Sequence, residues 1–429
     1  MPHTLDEQSK KLRREIVDDG LNSLEADIAE FIGLLREVFD SSNRPDLAAA
    51  LPWQPAQPAA AETTELAPGE LAQLTSIAFQ LLDMVEERVA RETRHKRTGA
   101  LGPKAEQGLW PHCLQALQRH GLTESQIAEV VNAVRIEPVF TAHPTEAKRP
   151  SVRERHRDIY ELLQRFKQDG LTEPRKSELK AQLLAALEGL WHTGEIHVDE
   201  PTIERELRNV LYYLREVFPY TLEKVRRDLN WAWKEADLDP ATLREAGDGP
   251  RIQFGLWIGG DRDGHPFVTS ETTRETLAEL RRQAIKLHRR DLESAAQALS
   301  LTSEDGQPPQ LLKRNEELAA QLGAEGDYIL GRNPGEPFRA FCYLVRAGLA
   351  ATKSAIYRDD LKLIDACLRE SGAGRLADQI VQPLMQKLDV FGFHLAELDI
   401  RQNSAFHDRA VAQILDAAGI ENGAEFANW

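Results

Sequence analysis

The stretch VFTAHPTEAKR, residues 139 to 149, is the strongest indicator of fold and function in this chain of 429 residues. An apolar strand end leads His143 into a turn that contains Pro144 and is followed by the cations Lys148 and Arg149. Proline fixes its own φ angle, and cations beside a rigidly held histidine suit proton transfer near a phosphate or carboxylate. A histidine at a strand end can equally be structural, so spacing alone leaves both interpretations open.

Two further segments show the same order of features. They are IQFGLWIGGDRDGHPFVTSET, residues 252 to 272, and VFGFHLAELDIRQNSAFHD, residues 390 to 408, whose apolar run ends at Asp399 and Arg401. Each combines a short strand with charged groups at its carboxyl end, then a cap residue and a helix. In (β/α) barrels, catalytic groups converge at the carboxyl ends of the strands. We therefore expect the three segments to share one pocket.

These segments resemble the phosphoenolpyruvate carboxylase family. Thr141 to Arg149 meet its signature T-A-H-P-T-[EQ]-x-x-R, and GLWIGGDRDGHP at 255 to 266 is similar to its S-W-M-G-G-D-R-D-G-N-P. ELDIRQNS at 397 to 404 resembles its L-D-I-R-Q-x-S, and GEPFRAF at 335 to 341 resembles its E-P-Y-R segment. The segments follow the family order, and the resemblance extends from about residue 110 to the end of the chain.

The resemblance implies a mostly α fold with a few parallel strands, part of a helix-rich, irregular (β/α) TIM-like barrel. It implies carboxylation of phosphoenolpyruvate by bicarbonate to oxaloacetate and phosphate, an anaplerotic reaction of an allosteric cytoplasmic enzyme. The family forms homo-oligomers, namely tetramers. By position, His143 matches the catalytic histidine, Arg401 the ligand of the substrate phosphate, and Trp257 a tryptophan near the bicarbonate pocket. Arg339 lies in a segment associated with subunit contacts and sugar-phosphate effectors.

Several family features do not occur in the sequence. The second half of the family carries metal-binding carboxylates, a GRGG-type mobile loop and an SDSxKDxG motif, and none of these is present. We therefore expect an incomplete N-terminal part of the enzyme that is inactive alone. The ligands of the Mg²⁺ or Mn²⁺ cofactor are expected outside this chain. Pro150, Leu256 and His265 replace the usual family residues and indicate a divergent subfamily.

The residues by themselves leave structural alternatives for several of these sites. Arg262 has an aspartate on either side, and an ion pair with one of them is slightly favoured over a position in the pocket. Arg401 lies beside Asp399, which can orient its guanidinium toward an anion. Trp257 can equally be an ordinary buried strand tryptophan. Arg339 and Arg262 remain candidates for a regulatory or anion-binding role.

Composition narrows the class of protein. The chain has 53 basic and 69 acidic residues, a net charge of −16 that disfavours binding to nucleic acid or an anionic membrane. An anionic substrate then needs a locally positive pocket. Cys113, Cys342 and Cys367 are widely spaced, so we expect reduced core cysteines rather than disulfides or a zinc site. No apolar run is long enough for a membrane helix, which favours the cytoplasm.

Periodicity predicts the organisation of the chain. Residues 1–42 form an N-terminal helical segment, 43–70 a Pro- and Ala-rich extended linker, and 71–429 the barrel-like part. Apolar residues recur at helical spacing through 152–238. The segment 301–337 is expected to hold two loops flanking one helix.

Two other functions stay open at this stage. Without metal carboxylates, the chain can serve as a non-catalytic anion-binding or assembly module. It can also be a phosphohistidine transfer protein that uses His143, because phosphoenolpyruvate donates phosphoryl groups to histidines. The second alternative lacks the sequence context of a phosphotransfer domain.

Overall fold

The computed structural model describes residues 7–53, 66–141, 150–193, 202–247, 249–263, 267–302 and 308–428. Most of these residues are helical, and the strands among them are short and all parallel. This confirms the predicted mostly α chain with a few parallel strands, whereas the TIM-like barrel stays a prediction. None of the helices in the described ranges combines the length and apolar character that crossing a membrane requires.

The helices account for most of the described chain. In order they are α1 (Glu7–Ser41), α2 (Pro45–Ala50), α3 (Pro68–Leu101), α4 (Trp110–Arg119), α5 (Glu124–Ala133), α6 (Pro150–Phe166), α7 (Glu173–Thr193), α8 (Ile203–Tyr212), α9 (Phe218–Glu235), α10 (Pro240–Ala246), α11 (Ser270–Ala298), α12 (Pro309–Leu322), α13 (Ala324–Arg332), α14 (Pro337–Gly348), α15 (Ser354–Glu370), α16 (Gly374–Leu376), α17 (Gln382–Phe391) and α18 (Ser404–Ala417). The π-helical turns Tyr213–Val217 and Ala377–Val381 connect α8 to α9 and α16 to α17.

The chain divides into two compact units. Unit 1 consists of Met1–Gly121 and Thr145–Glu200, and unit 2 consists of Leu122–Pro144 and Pro201–Trp429. Each unit therefore combines segments that are far apart in sequence. The division of the chain at residues 42 and 70 rests on linker composition and stays a prediction.

Unit 1 is built on the long helices α1 and α3, with α6 and α7. The predicted N-terminal helical segment is present as α1, and Ile28, Phe31, Leu35 and Val38 form an apolar stripe that is buried in the core of the unit. Leu21, at the start of the same stripe, is 56% exposed. Burial of such a stripe supplies most of the stability of a long amphipathic helix.

The predicted extended linker is wrong for its first part. Helix α2 begins at Pro45, in the first turn, where proline has no intrahelical N–H bond to lose. Leu47 and Ala48 are buried against α1, which compensates for the shortness of the helix. Trp53 follows it and lies edge-on to Phe79 of α3, with ring centroids 5.2 Å apart.

Among its described residues, unit 2 contains five two-residue parallel strands. They are β1 (Arg135–Ile136), β2 (Val139–Phe140), β3 (Arg251–Ile252), β4 (Gly255–Leu256) and β5 (Glu397–Leu398). β1 pairs with β3, and β2, β4 and β5 form a three-stranded sheet in that order. Strands from three distant parts of the sequence thus lie side by side.

A hydrophobic core of unit 2 supports the three-stranded sheet. Phe254 and Leu256 are buried, and the ring of Phe254 stacks on Phe391 of α17 with centroids 5.6 Å apart. Helix α11 contributes Leu280, Ala284 and Leu287 to the same core. The helix begins with a capping box formed by Thr269 and Thr272, which fixes the residue at which the loop after β4 ends.

The predicted pair of loops flanking one helix in 301–337 is wrong. Two helices, α12 and α13, occupy this region and meet at Gly323, whose φ is +60°. Glycine adopts that conformation without a Cβ clash, so the chain can leave one helix and enter the next within a single residue.

Candidate active site at the carboxyl ends of three strands

The three segments singled out in the sequence are neighbours in space. The amide of Gly255 donates to the carbonyl of Pro138 at 3.0 Å, and that of Trp257 donates to Phe140 at 2.9 Å. On the other side of β4, Asp399 donates from its amide to the carbonyl of Leu256 at 2.9 Å. Because the strands are parallel, their carboxyl ends open on the same edge of the sheet. The three strand ends are therefore neighbours, as expected, and a pocket shared by the three segments stays a prediction.

The candidate catalytic histidine cannot be placed within this arrangement. His143, Lys148 and Arg149 lie outside the described residues. The described part of β2 ends three residues before His143, at Phe140, and is hydrogen-bonded to β4. The catalytic role of His143 stays a prediction.

A Gly-Gly turn brings the loop after β4 against β5. Gly259 has a φ of +83°, and a Cβ on Gly260 would lie 2.2 Å from the backbone oxygen of Asp399. Only glycine permits this approach of two backbones. Beyond the turn, the amide of Arg401 donates to Gly260 at 3.0 Å, and that of Arg262 donates to the carbonyl of Arg401 at 2.9 Å. The turn thus extends the pairing of β4 and β5 as far as Arg401.

Arg401 presents a cation at the open edge of this sheet. Its Cζ lies 4.0 Å from the centroid of the Trp257 ring, within the range of cation–π attraction. Its Nη1 is 3.5 Å from Oδ2 of Asp261, and 44% of the side chain is exposed. Nε and Nη2, which form the other edge of the guanidinium, have no hydrogen-bond partner in the described part of the chain. That edge can bind a phosphate or carboxylate through two parallel N–H bonds.

Asp399 has a different partner from the one predicted. We expected it to orient Arg401 directly, but its Oδ2 accepts a hydrogen bond of 2.9 Å from Nε1 of Trp257. The register explains this pairing: Leu256 lies opposite Leu398, so the next residues, Trp257 and Asp399, are also opposite each other. Trp257 is half-buried, with one face covered by Arg401. It is therefore not an ordinary buried core tryptophan, and its role in binding bicarbonate stays a prediction.

The predicted ion pair of Arg262 with a flanking aspartate is wrong. Its Nη2 donates to Oγ1 of Thr273 at 3.0 Å, and that hydroxyl donates to the carbonyl of Gly259 at 2.8 Å. Asp261 instead accepts from the backbone amide of Asp263 at 3.1 Å, so its carboxylate stabilises the turn. The side chain of Arg262 links the loop to the first turns of α11, where a buried threonine is available.

Arg339 joins two helices of unit 2. Its Nη1 donates to Glu336 at 3.0 Å, and its Nε donates to the carbonyl of Ala296 at 3.1 Å. Ala296 lies in the last turn of α11, whose free carbonyls attract a cation. The guanidinium of Arg339 therefore has hydrogen-bond partners within the fold, and its regulatory role stays a prediction.

The described residues offer no evident metal site. They contain no group of three or more His, Cys, Asp or Glu side chains placed to hold an ion. Cys342 and Cys367 are buried as predicted, and burial raises the pKa of the Cys342 thiol to about 12. The prediction of a core cysteine is wrong for Cys113, which is exposed at the start of α4.

The fold and the candidate site together define a class of protein: a helix-rich chain in which the carboxyl ends of short parallel strands meet at one edge, the position where (β/α) proteins place their catalytic groups. A family model described as Phosphoenolpyruvate carboxylase matches residues 61–359 and 354–429. The chain belongs to the phosphoenolpyruvate carboxylase family.

Several relatives carry the same description. The phosphoenolpyruvate carboxylase of Methylorubrum extorquens is 32% identical over 353 residues, which cover 77% of this chain and 37% of that protein. That of Chromobacterium violaceum is 30% identical over 435 residues, covering 96% of this chain and 45% of that protein. That of Nocardia farcinica is 30% identical over 368 residues, covering 80% and 38%. The chain thus spans between 37% and 45% of the length of these relatives.

Proposed function

We propose that this chain takes part in the carboxylation of phosphoenolpyruvate by bicarbonate, which gives oxaloacetate and phosphate. Membership of the family supports the reaction. The observation that carries the proposal is the position of Arg401, stacked on Trp257 at the carboxyl edge of β2, β4 and β5 with Nε and Nη2 directed to no described partner. In a chain of net charge −16, such an exposed cation provides the locally positive site that an anionic substrate needs.

The proposed sequence of steps begins at the phosphate. An oxygen of bicarbonate attacks phosphorus and the bond to the enol oxygen breaks, which gives carboxyphosphate and the enolate of pyruvate. Arg401 binds the phosphoryl oxygens through two charge-assisted bonds and keeps them in place as charge moves. His143 takes the proton of carboxyphosphate, so that CO₂ and phosphate separate. The enolate carbon then attacks CO₂ to form oxaloacetate.

Trp257 has a second part in the proposal. Its ring forms an apolar wall beside Arg401, and such a wall limits the access of water that would protonate the enolate. The same ring supports the guanidinium from below. The Trp257 side chain therefore supports the guanidinium that binds the anion and also keeps water away from the CO₂ released next to it.

The cofactor and the assembly are also proposals. The family resemblance implies Mg²⁺ or Mn²⁺, but the described residues do not fit such an ion. We place its ligands in the assembled enzyme, meaning this chain together with polypeptide equivalent to the part of its relatives that it does not span. We expect that enzyme to be a cytoplasmic homo-oligomer with an anaplerotic role, and the 429-residue chain alone to be inactive.

The test is His143→Asn in the assembled enzyme, with oxaloacetate and phosphate measured together. Asparagine is similar in size but does not accept the proton of carboxyphosphate. We expect oxaloacetate formation to fall by about a hundredfold or more, while bicarbonate-dependent phosphate release continues in part. Wild-type oxaloacetate formation would exclude His143 from catalysis.

Two controls accompany this assay. The 429-residue chain alone should form no oxaloacetate, and substantial activity from it would refute the proposed location of the metal ligands. Stable ³²P label on the protein after incubation with phosphoenolpyruvate, lost in the His143 variant, would instead identify a phosphohistidine transfer protein.

A further inference from the structure

We infer that Asp399 is a positioning residue that acts on Arg401 through Trp257. The inference rests on the proposed function, in which Arg401 binds the phosphate of the substrate. Asp399 holds the indole by its N–H group, and the face of the indole holds the guanidinium. A carboxylate that makes no direct ion pair with Arg401 thereby sets where the anion binds.

The geometry of the three side chains supports this relay, meaning the contact of Asp399 with Trp257 and of Trp257 with Arg401. Trp257 and Asp399 are directly opposite each other on β4 and β5, and their side chains are joined by the 2.9 Å bond between Nε1 and Oδ2. Arg401 follows Asp399 by two residues in extended chain, so both side chains project to the same side. Its guanidinium lies over the indole at 4.0 Å.

The carboxylate of Asp399 is not needed for strand pairing. The backbone amide of Asp399 already donates to Leu256, and the strands continue to pair beyond it through Gly260 and Arg401. The hydrogen bond to the indole therefore fixes the orientation of the ring rather than the sheet. Without it, the two favoured χ2 orientations of a half-buried indole differ in where Nε1 and the six-membered ring lie, and the bond to Asp399 selects the orientation observed beneath Arg401.

The charge of Asp399 adds an electronic effect. An indole N–H group that donates to a carboxylate is polarised, and the ring face becomes more negative. Cation–π attraction depends on that negative face, so Asp399 strengthens the contact between Trp257 and Arg401. Asp261 holds Arg401 only loosely, by a 3.5 Å contact between a partly buried carboxylate and an exposed guanidinium. The indole is thus the firmer of the two supports.

The kinetic test compares Asp399→Ala and Asp399→Asn with Glu397→Ala in the assembled enzyme. Glu397 is exposed and lies two residues before Asp399. Its replacement by alanine therefore removes the same charge from the same side of the strand. We expect Asp399→Ala to lower kcat/KM for phosphoenolpyruvate by about ten- to fiftyfold, mainly through KM. Asparagine retains an acceptor for the indole, so Asp399→Asn should stay within about fivefold, and Glu397→Ala within about twofold.

A second measurement reports on the relay without any activity. In the 429-residue chain labelled with ¹⁵N-tryptophan, Trp257→Phe identifies the indole signal of Trp257 among the seven tryptophans. Asp399→Ala should move that indole proton upfield, because its carboxylate acceptor is lost, and Glu397→Ala should leave it unchanged. An unchanged signal in the Asp399→Ala chain would overturn the inference.

The double variant Asp399→Ala with Trp257→Phe separates this inference from the proposed function. A relay through the indole predicts that Asp399→Ala costs less than about twofold once Trp257 is already phenylalanine. A full additional loss would show that Asp399 acts by another route. If Arg401→Lys also left kcat/KM unchanged, the proposed phosphate site itself would fail, whatever the indole signal showed.

Discussion

His288 is a fully buried histidine in the middle of α11. Its Nε2 donates to the carbonyl of Gly392 at 2.8 Å, and its ring packs against Tyr357 and Phe393. Nδ1 has no hydrogen-bond partner among the residues that the structure describes. Burial disfavours the charged imidazolium and lowers the pKa of His288 to about 4.

This histidine predicts how the stability of unit 2 depends on pH. Because its pKa is lower in the folded chain than in the unfolded one, the unfolded chain binds more protons between about pH 4 and 6.5. The stabilising effect of a neutral His288 is complete above that window and is lost as the pH falls through it. Between about pH 7.5 and 5, the free energy of unfolding should fall by roughly 2 kcal/mol from this group.

The substitution His288→Gln provides the comparison. Glutamine can still donate to Gly392 but does not titrate, so the variant should lose less stability than the wild type between the two pH values. Urea unfolding measures the difference, and His407→Gln, at an exposed histidine of α18, is the control. Equal pH dependence in wild type and His288→Gln would show that the histidine is not buried in its neutral form.

The residues of the candidate site were only partly predictable from the sequence. Arg401 and Trp257 were recognisable because they occur in motifs at strand ends. Their mutual contact and the hydrogen bond between Trp257 and Asp399 depend on the register of β4 and β5. Trp257 and Asp399 are 142 residues apart in sequence. The partner of Arg262 was missed for a similar reason, since Thr273 lies on a helix beyond the loop.

At the scale of the elements, the junction of β4 and β5 depends on Gly260. A methyl group at this position would lie 2.2 Å from the backbone oxygen of Asp399 and 3.0 Å from Cγ of Leu398. The first contact involves backbone, so it cannot be relieved by a change of rotamer. Gly260→Ala should separate the loop from β5, lower stability by roughly 1 to 3 kcal/mol and displace Arg401.

Thermal unfolding and phosphoenolpyruvate kinetics of Gly260→Ala check this prediction. The matched control is Gly331→Ala, within α13, where an added Cβ meets nothing within 4 Å. Alanine favours the helix, so that variant should be as stable as the wild type or slightly more stable. If both variants retained wild-type stability, the close approach at Gly260 would not be required.

Helices were predicted well where apolar residues recur at helical spacing, as in α6 and α7 within 152–238. The misassigned elements, α2 and the pair α12 and α13, lie in sequence rich in proline, glycine and alanine, which composition alone assigns to loops. Proline in a first helical turn is compatible with helix, and tertiary burial stabilises the short helices that follow. The strands were located by their charged ends, although each is only two residues long.

At the scale of the whole molecule, the sequence and the comparisons agree on the family, and the structure adds the arrangement of the strand ends. The chain is acidic overall, with a net charge of −16, so an anionic substrate is repelled except where a cation dominates locally. We propose that Arg401, supported by Trp257, is that cation. Lysine keeps the charge but cannot form two parallel N–H bonds to a phosphate.

The most direct test is therefore kcat/KM for phosphoenolpyruvate in the assembled enzyme carrying Arg401→Lys. Loss of one charge-assisted bond should weaken binding of the transition state by roughly 1.5 to 3 kcal/mol, which lowers kcat/KM about ten- to a hundredfold. The same substitution at Arg251, an exposed residue of β3, should change it by less than about twofold. A change below twofold for Arg401→Lys as well would exclude Arg401 from the phosphate site and place the phosphate elsewhere.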